Sequence, residues 1–218
     1  VFQWLETRRY LVWQTSPWEN GSPDAIAPLK YQEKPLLRFN LAGNEREAAC
    51  LGISGLLLDK RMDLRIFPEP IRQGGKFISS DNFRIYIEEF TDHMGAMISA
   101  PLVQVPGNII TVTPGHSLRV WVVFDSKGVD PGNYSGTLKI KPLYDYSIPN
   151  RDLPVALRVF DFTLPETHDW PLDCFFWFGG LTPLNETAMI RLVHDYHIKW
   201  AMTESHNYRN GFLYDRSK

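Results

Sequence analysis

The strongest constraint on the fold is a series of short, strand-length runs across residues 1–165, separated by Pro, Gly, Asn and Asp. The runs are, in chain order, RYLVWQ, LLRFNLA, MDLRIF, FRIYIEEF, NIITVT, SLRVWVVF, SGTLKIK and LPVALRVFDF. Several of them alternate; in SLRVWVVF, for example, Leu118, Val120 and Val122 lie on one face. About eight short strands with turn signals between them and no convincing helix predict a sandwich of two antiparallel sheets.

The segment GNEREAACLGIS at residues 43–54 admits two interpretations. Asn44 as an N-cap with Glu47 three residues later would form a capping box, which opens a helix. The runs on both sides are strand-like, however, and leave no room for a helix. A strand would place Glu47, Ala49, Leu51 and Ile53 on one face, and Arg46, Ala48, Cys50 and Gly52 on the other. We predict a strand, with Glu45 or Glu47 tying a turn or pairing with an arginine.

The pattern changes after a linker, DFTLPETHDWP, at residues 161–171. The continuous apolar run LDCFFWFGG is typical of a strand covered on both faces in a parallel sheet. In the segment LTPLNETAMIRLVHDYH, Thr182 is a candidate N-cap and Pro183 suits the first helical position, and IKWAMTES then indicates another strand. We therefore predict a β-sandwich domain over residues 1–165 and one β-α-β unit over residues 166–218.

The β-α-β unit is too short to stand alone. Two parallel strands leave both sheet edges unpaired, and a (β/α)8 barrel takes about 250 residues. We expect residues 166–218 to be the start of an incomplete barrel. The remaining barrel segment would come from a second chain or from sequence outside these 218 residues.

Charge and hydropathy argue against nucleic acid and membrane-spanning segments. The chain has 23 Lys and Arg against 25 Asp and Glu, and its densest basic clusters are the dipeptides Arg8–Arg9 and Lys60–Arg61. No apolar run approaches the roughly 20 residues that cross a bilayer. The two cysteines, Cys50 and Cys174, lie in apolar runs, so we expect buried free thiols rather than a disulfide.

Five motifs occur in a characteristic order: a W-x-x-SP segment from Trp13 to Pro17, then NEREA, TPGHSLRVWVVFD, DPGNYSGTLKI and LPVALRVFDFTLPE. Together they resemble the N-terminal β-sandwich of glycoside hydrolase family 123 and its relatives of unknown function. The resemblance covers most of residues 10–180. The matching positions are Asn44, Glu45, Glu47, Gly115, Trp121, Pro131, Gly132, Tyr134, Gly136, Val159, Phe162, Leu164 and Pro165.

The resemblance implies hydrolysis of glycosides, with N-acetylgalactosaminides as the type substrate. In such enzymes an Asp-Glu pair on the barrel acts, the Glu as general acid and the Asp orienting the acetamido group of the substrate. No adjacent Asp-Glu dipeptide occurs in this sequence, so no catalytic residue is assigned. The expected role is non-catalytic support of the barrel, without a cofactor. The expected location is extracytoplasmic, either secreted or periplasmic, although VFQWLETRRY has no signal-peptide pattern.

Candidate substrate-binding residues follow from position in the α/β unit. Ligands of parallel α/β domains bind at the carboxyl ends of the strands, which here carry Trp177 after the first strand and Glu204 and His206 after the second. An aromatic ring with polar groups suits a sugar. The alternative is that Trp177 is a core residue and the second loop is merely solvated.

Other clusters favour structural interpretations. Glu88 and Glu89 are neighbours on a strand, point to opposite faces and are expected to be solvated. His194, His197 and His206 lack a carboxylate or Cys that would complete a metal site. Two further functions stay open. One is a carbohydrate-binding or surface-adhesion module without catalysis, and the other is a sandwich with no ligand.

Overall fold

The computed structural model describes residues 9–19, 21–22, 24–25, 27, 35–55, 58–93, 96–166, 169, 175–178, 191, 194 and 200–203. The chain divides into two compact units, Val1–Asp161 and Phe162–Lys218. The described strands are β1 (Leu11–Thr15), β2 (Leu37–Gly43), β3 (Arg46–Ser54), β4 (Met62–Pro68), β5 (Ile71–Gln73), β6 (Lys76–Ile78), β7 (Phe83–His93), β8 (Ala96–Gln104), β9 (Ile109–Val112), β10 (Ser117–Asp125), β11 (Gly132–Pro142), β12 (Arg151–Thr163), β13 (Phe175–Phe178) and β14 (Trp200–Thr203). Within these residues the protein is mainly β.

The first unit contains two five-stranded sheets and a small hairpin. The first sheet has the order β1-β3-β10-β7-β8, and its neighbouring strands run antiparallel. The second has the order β2-β12-β11-β4-β9, with antiparallel pairing from β12 through β9. The hairpin β5-β6 turns at Gly74 and Gly75, which both adopt positive φ. The predicted β-sandwich is therefore present, with antiparallel pairing throughout the first sheet and from β12 through β9 in the second.

The core lies between the inner faces of the two sheets. The first sheet contributes Leu51, Ile53, Val120 and Val122, and the second contributes Phe39, Leu64, Ile66 and Leu138, all buried in one cluster. Phe39 and Phe83 meet edge to face with ring centroids 6.2 Å apart, and Phe83 and Phe124 lie at 4.8 Å. These contacts join aromatic residues of both sheets, which is the arrangement expected of a sandwich core.

Each of the eight strand-length runs overlaps a strand, and residues 46–54 form β3 rather than a helix. Ala49, Leu51 and Ile53 face the core as the alternation predicts. The structure adds β5, β6 and β8, which were not predicted. Pro101 lies inside β8, and a proline is disfavoured in a central strand. It is tolerated because β8 is an edge strand.

The turn at Thr113–Gly115 follows the sequence signal, since Gly115 has φ +75° and the His116 N–H donates to the Thr113 carbonyl at 3.2 Å. Pro131-Gly132 carries the same Pro-Gly turn signal, but Gly132 has φ +155° and already belongs to β11. The chain reverses earlier, at Gly128, where φ is +75° and the Val129 N–H bonds to the Ser126 carbonyl.

The second unit contains the parallel pair β13-β14, in which Phe175 pairs with Trp200 and Phe178 with Thr203. Of the segment between these strands the structure describes Arg191 and His194, and both are helical. Among the described residues no helix is long and apolar enough to cross a membrane.

Candidate functional site

The acidic residues of the NEREA motif cap an edge strand. β2 lies at the edge of its sheet beside β12. The Ala42 N–H donates to Glu45 Oε2 at 2.6 Å, and the Asn40 N–H donates to Glu47 Oε2. Residues two apart on a strand present their N–H groups to the same side, so the two carboxylates occupy one edge of β2. Unpaired edges invite strand addition, and these bonds cover two of the donors.

The NEREA motif also joins the turn between β2 and β3 to the end of β10. Ser126, which is 1% exposed, donates from Oγ to the Ala42 carbonyl at 2.6 Å and accepts from the Glu45 N–H at 2.9 Å. Arg46 Nε lies 2.8 Å from Asp125 Oδ2. Burial raises the pKa of Glu47, the Asn40 N–H partly offsets this, and the charge of Glu45 raises it further. The prediction of a structural role for these acids is supported by all these contacts.

A buried polar cluster on the outer face of the first sheet corrects the prediction for Glu88. Glu88 was expected to be solvated, but it is buried and only 3% exposed, whereas Glu89 is exposed. Glu88 Oε2 lies 3.2 Å from Arg119 Nη1 and accepts from Trp121 Nε1 at 3.0 Å. Arg119 also donates to the backbone carbonyls of Ser16 and Glu19. The guanidinium thereby holds the segment after β1 against the sheet.

Residues of the DPGNYSG motif serve packing as well. The Tyr134 hydroxyl donates to the Asp130 carbonyl at 2.7 Å, a contact that fixes the chain entering β11 as a tyrosine corner does. A Cβ on Gly136 would lie 2.6 Å from Ile71 Cγ1, so the hairpin β5-β6 needs a residue without a side chain there. Both contacts are structural.

Cys50 is a buried free thiol, as predicted. Burial raises the pKa of the Cys50 thiol to about 12. A cysteine with so little thiolate at neutral pH is a poor nucleophile. Cys174 lies outside the described residues.

The predicted substrate-binding residues are in the second unit. Trp177 belongs to β13 and pairs with Met202. Glu204 and His206 lie outside the described residues, so the structure does not bring the three together. The last residues of the two strands, Phe178 and Thr203, are register partners. The carboxyl ends of β13 and β14 therefore meet at one edge.

Metal ligation finds no candidate in the part of the chain that is described, where no group of three His, Cys, Asp or Glu side chains could hold an ion. His194 is helical and exposed. His197 and His206 are outside the described residues.

Comparison with known proteins shows a likeness of fold to a solved structure. No family model matches the sequence, and no curated protein matches it. A family 123 glycoside hydrolase from Clostridium perfringens, studied for glycolipid glycan hydrolysis, matches with a TM-score of 0.55 and 13% identity over 78% of this chain. The chain spans 30% of that hydrolase's length.

Two other structures match at lower TM-scores. The human CEP192 PapD-like domain 7 gives 0.37 with 10% identity, covering 64% of this chain and 96% of that one. CfaE, the adhesive subunit of the CFA/I fimbria of enterotoxigenic Escherichia coli, gives 0.37 with 11% identity, covering 71% and 50%. At such identities the likeness to the hydrolase shows a shared fold, which agrees with the resemblance carried by the five motifs.

Proposed function

We propose that this chain is the N-terminal, non-catalytic supporting part of a glycoside hydrolase-like protein that acts on glycans, with N-acetylhexosaminides as candidate substrates. The observation that carries the proposal is the fold match to a family 123 glycoside hydrolase over 78% of this chain but 30% of that enzyme. A match of that proportion is what a supporting part of a larger enzyme would give. The expected extracytoplasmic location belongs to the same proposal, and cell fractionation with an antibody tests it.

The second unit supports the proposal in its element order. We assign residues 1–165 to the sandwich and residues 166–218 to the start of a (β/α)8 barrel. A parallel pair needs a crossover of a dozen or more residues, usually a helix. β13 and β14 are parallel, and the helical Arg191 and His194 lie between them in sequence. The remaining barrel segment would come from a second chain or from further sequence.

The substrate would bind at the carboxyl edge of this parallel pair. Trp177 is one residue before the end of β13, and Glu204 directly follows β14. We propose that Trp177 stacks on a sugar ring and that Glu204 and His206 bind its hydroxyl groups. Substitution Trp177→Ala in a protein with a complete barrel should raise KM for an aryl glycoside at least about 10-fold.

The direct test is an assay of the 218-residue chain with p-nitrophenyl N-acetyl-β-galactosaminide. We expect no turnover above the buffer rate, because the proposed catalytic acids belong to the remaining barrel segment. The same assay on a protein extended through a complete barrel should show turnover. Robust hydrolysis by the 218-residue chain, or none by the extended protein, would contradict the proposal.

A second function is favoured by exposed aromatic side chains on the first unit. Trp18 is 94% exposed and Tyr144 is 82% exposed. Exposed rings are a common means of holding sugars, so the alternative is a carbohydrate-binding or adhesion module without catalysis. A glycan array probed with the 218-residue chain distinguishes the functions. Binding without turnover in the extended protein favours the module, and a clean negative favours a purely structural sandwich.

A further inference from the structure

A small cleft lies on the first unit where the residues before β1, the entry to β4 and the loop between β11 and β12 meet. Its volume is about 190 Å³. Met62 and Ile148, 8% and 6% exposed, and the half-buried Leu58 give it apolar lining. Pockets for drug-sized ligands measure roughly 300–1,000 Å³. The cleft is therefore of a size for one small ring rather than a large ligand.

The three carboxylates of the cleft already accept bonds from the protein. Asp59 Oδ1 lies 3.0 Å from Arg9 Nη1. Asp63 Oδ1 accepts from Thr111 Oγ1 at 2.6 Å. Asp145 Oδ1 accepts from the hydroxyl and the N–H of Ser147, at 2.5 and 3.1 Å. These acids are thus held in place and are partly satisfied before any ligand arrives.

The two remaining cations of the cleft, Lys60 and Arg61, are exposed at its rim. Neither makes a hydrogen bond or ion pair within the described part of the chain. Lys60 lines the cleft, and its charge helps to lower the pKa of Asp59 and of Asp145, after the hydrogen bonds that these carboxyl groups accept and, for Asp59, after the charge of Arg9. Charge-assisted bonds to an incoming carboxylate are stronger than neutral ones, and Arg can form them in pairs.

An aromatic ring lines the same cleft. Tyr144 is 82% exposed, and its neighbour Asp145 is held by Ser147. A ring so exposed buries little of its own apolar surface in the fold, so its face is open to a ligand. The axial C–H groups of a pyranose are a fitting partner for such a face.

We propose that this cleft binds a pyranose ring that carries a carboxylate, a uronic acid residue of a glycan. Tyr144 stacks on the ring, and Lys60 and Arg61 bind the carboxylate. The assignment deepens the carbohydrate-binding function and rests on it for the class of ligand. It is compatible with a supporting role, because a cleft on the sandwich binds glycan whether or not a barrel follows.

The test is an NMR titration of the 218-residue chain with methyl β-D-glucuronide and methyl β-D-glucoside. These probes differ at carbon 6, where one has a carboxylate and the other a hydroxymethyl group. We expect the glucuronide to bind about 10-fold more tightly at low salt, with an advantage that shrinks as salt is raised. Equal affinity for the probes, or no saturable binding of the glucuronide, overturns the assignment.

Four variants locate the binding. Tyr144→Ala should lower the affinity for both probes about 5-fold or more, and Lys60→Gln should lower the affinity for the glucuronide alone. Tyr146→Ala and Lys141→Gln are the matched controls, since both side chains are exposed and neither lines the cleft. Thermal melts confirm that each variant is folded. If the controls weaken binding as much as the cleft variants, the cleft is the wrong site while carbohydrate binding itself stands.

Discussion

Gly52, on the outer face of the first sheet, determines how closely the Trp13 ring can pack against that sheet. Trp13 and Gly52 are register partners on β1 and β3. A Cβ on Gly52 would lie 2.2 Å from Trp13 Cε2, far inside van der Waals contact. Trp13 is 5% exposed, so its ring has little free space into which it could retreat. The absence of a side chain at Gly52 is therefore what admits the indole.

We expect Gly52→Ala to lower the free energy of unfolding by about 2 kcal/mol, because the added methyl group overpacks the Trp13 site. Urea denaturation measures the change. In a Trp13→Leu background, which removes the indole, the same substitution should cost less than about 1 kcal/mol. Equal costs in the two backgrounds would show that the indole is not the cause.

Glu88 and Glu89 are adjacent on β7, one buried and the other exposed, so the same substitution at each position can be compared. Glu88→Gln leaves Arg119 buried without its carboxylate and should cost about 3 kcal/mol in urea denaturation. Glu89→Gln, at the exposed neighbouring position, should change stability by less than about 0.5 kcal/mol. A small effect at Glu88 would mean that the backbone carbonyls of Ser16 and Glu19 suffice to hold the guanidinium.

Sequence reasoning missed Glu88 for a physical reason. Its partners Arg119 and Trp121 are more than 30 residues away on β10, and only the pairing of β7 with β10 brings them together. Alternation on a single strand shows that Glu88 and Glu89 face opposite ways but not which face is covered. The signal that was available is Arg119 itself, a charge two residues before a tryptophan on one face of a strand.

At the scale of elements, alternation and turn residues predicted the long strands well, because a half-buried strand must alternate. β8 escaped prediction because Pro101 breaks the local pattern, and edge pairing tolerates it. In β3 the local sequence was misleading in another way, because its first residues satisfy the rules for a helix N-terminus. Pairing of Val122 with Ala49 and of Leu118 with Ile53 makes this segment a strand.

The capped edge of β2 predicts a pH effect. The folded pKa of Glu47 is raised above its ordinary value of 4.5, so the folded state holds the proton more tightly than the unfolded state does. The contribution of Glu47 to stability therefore falls as pH rises from about 4.5 through the folded pKa. We expect Glu47→Gln, which keeps an acceptor for Asn40, to gain stability relative to the parent over this interval. Urea midpoints at pH 4 and pH 7 measure it, and a constant difference between the proteins would contradict it.

The parallel pair predicts unequal protection from hydrogen exchange. β13 and β14 form a two-stranded sheet among the described residues, whereas β3 lies between β1 and β10. In the 218-residue chain the amides of residues 175–178 and 200–203 should exchange within minutes, and those of β3 should persist for hours. Mass spectrometry of exchanged peptides provides the comparison. Equal protection of β3 and of the β13-β14 pair would contradict the expectation that the two-stranded sheet is less stable.

At the scale of the whole molecule, alternation predicted the sandwich and the five motifs carried the resemblance, and the fold match supports both in coarse form. The candidate sugar site in the second unit rests on Trp177, Glu204 and His206, of which the described strands include Trp177. The cleft beside Tyr144 could not be anticipated, because it gathers residues from three segments that are distant in the chain.

The order of strands in the second sheet also determines when, during synthesis, β2 obtains its neighbouring strand. β2 ends at Gly43, but its neighbour β12 begins at Arg151. At about 5–20 residues per second, a ribosome needs roughly 5–20 s to deliver that partner after β2 has been synthesised. During this interval β2 is a nascent strand without its sheet. The carboxylates of Glu45 and Glu47 follow within four residues of Gly43, so protection of one edge of β2 is available from the chain almost as soon as the strand exists.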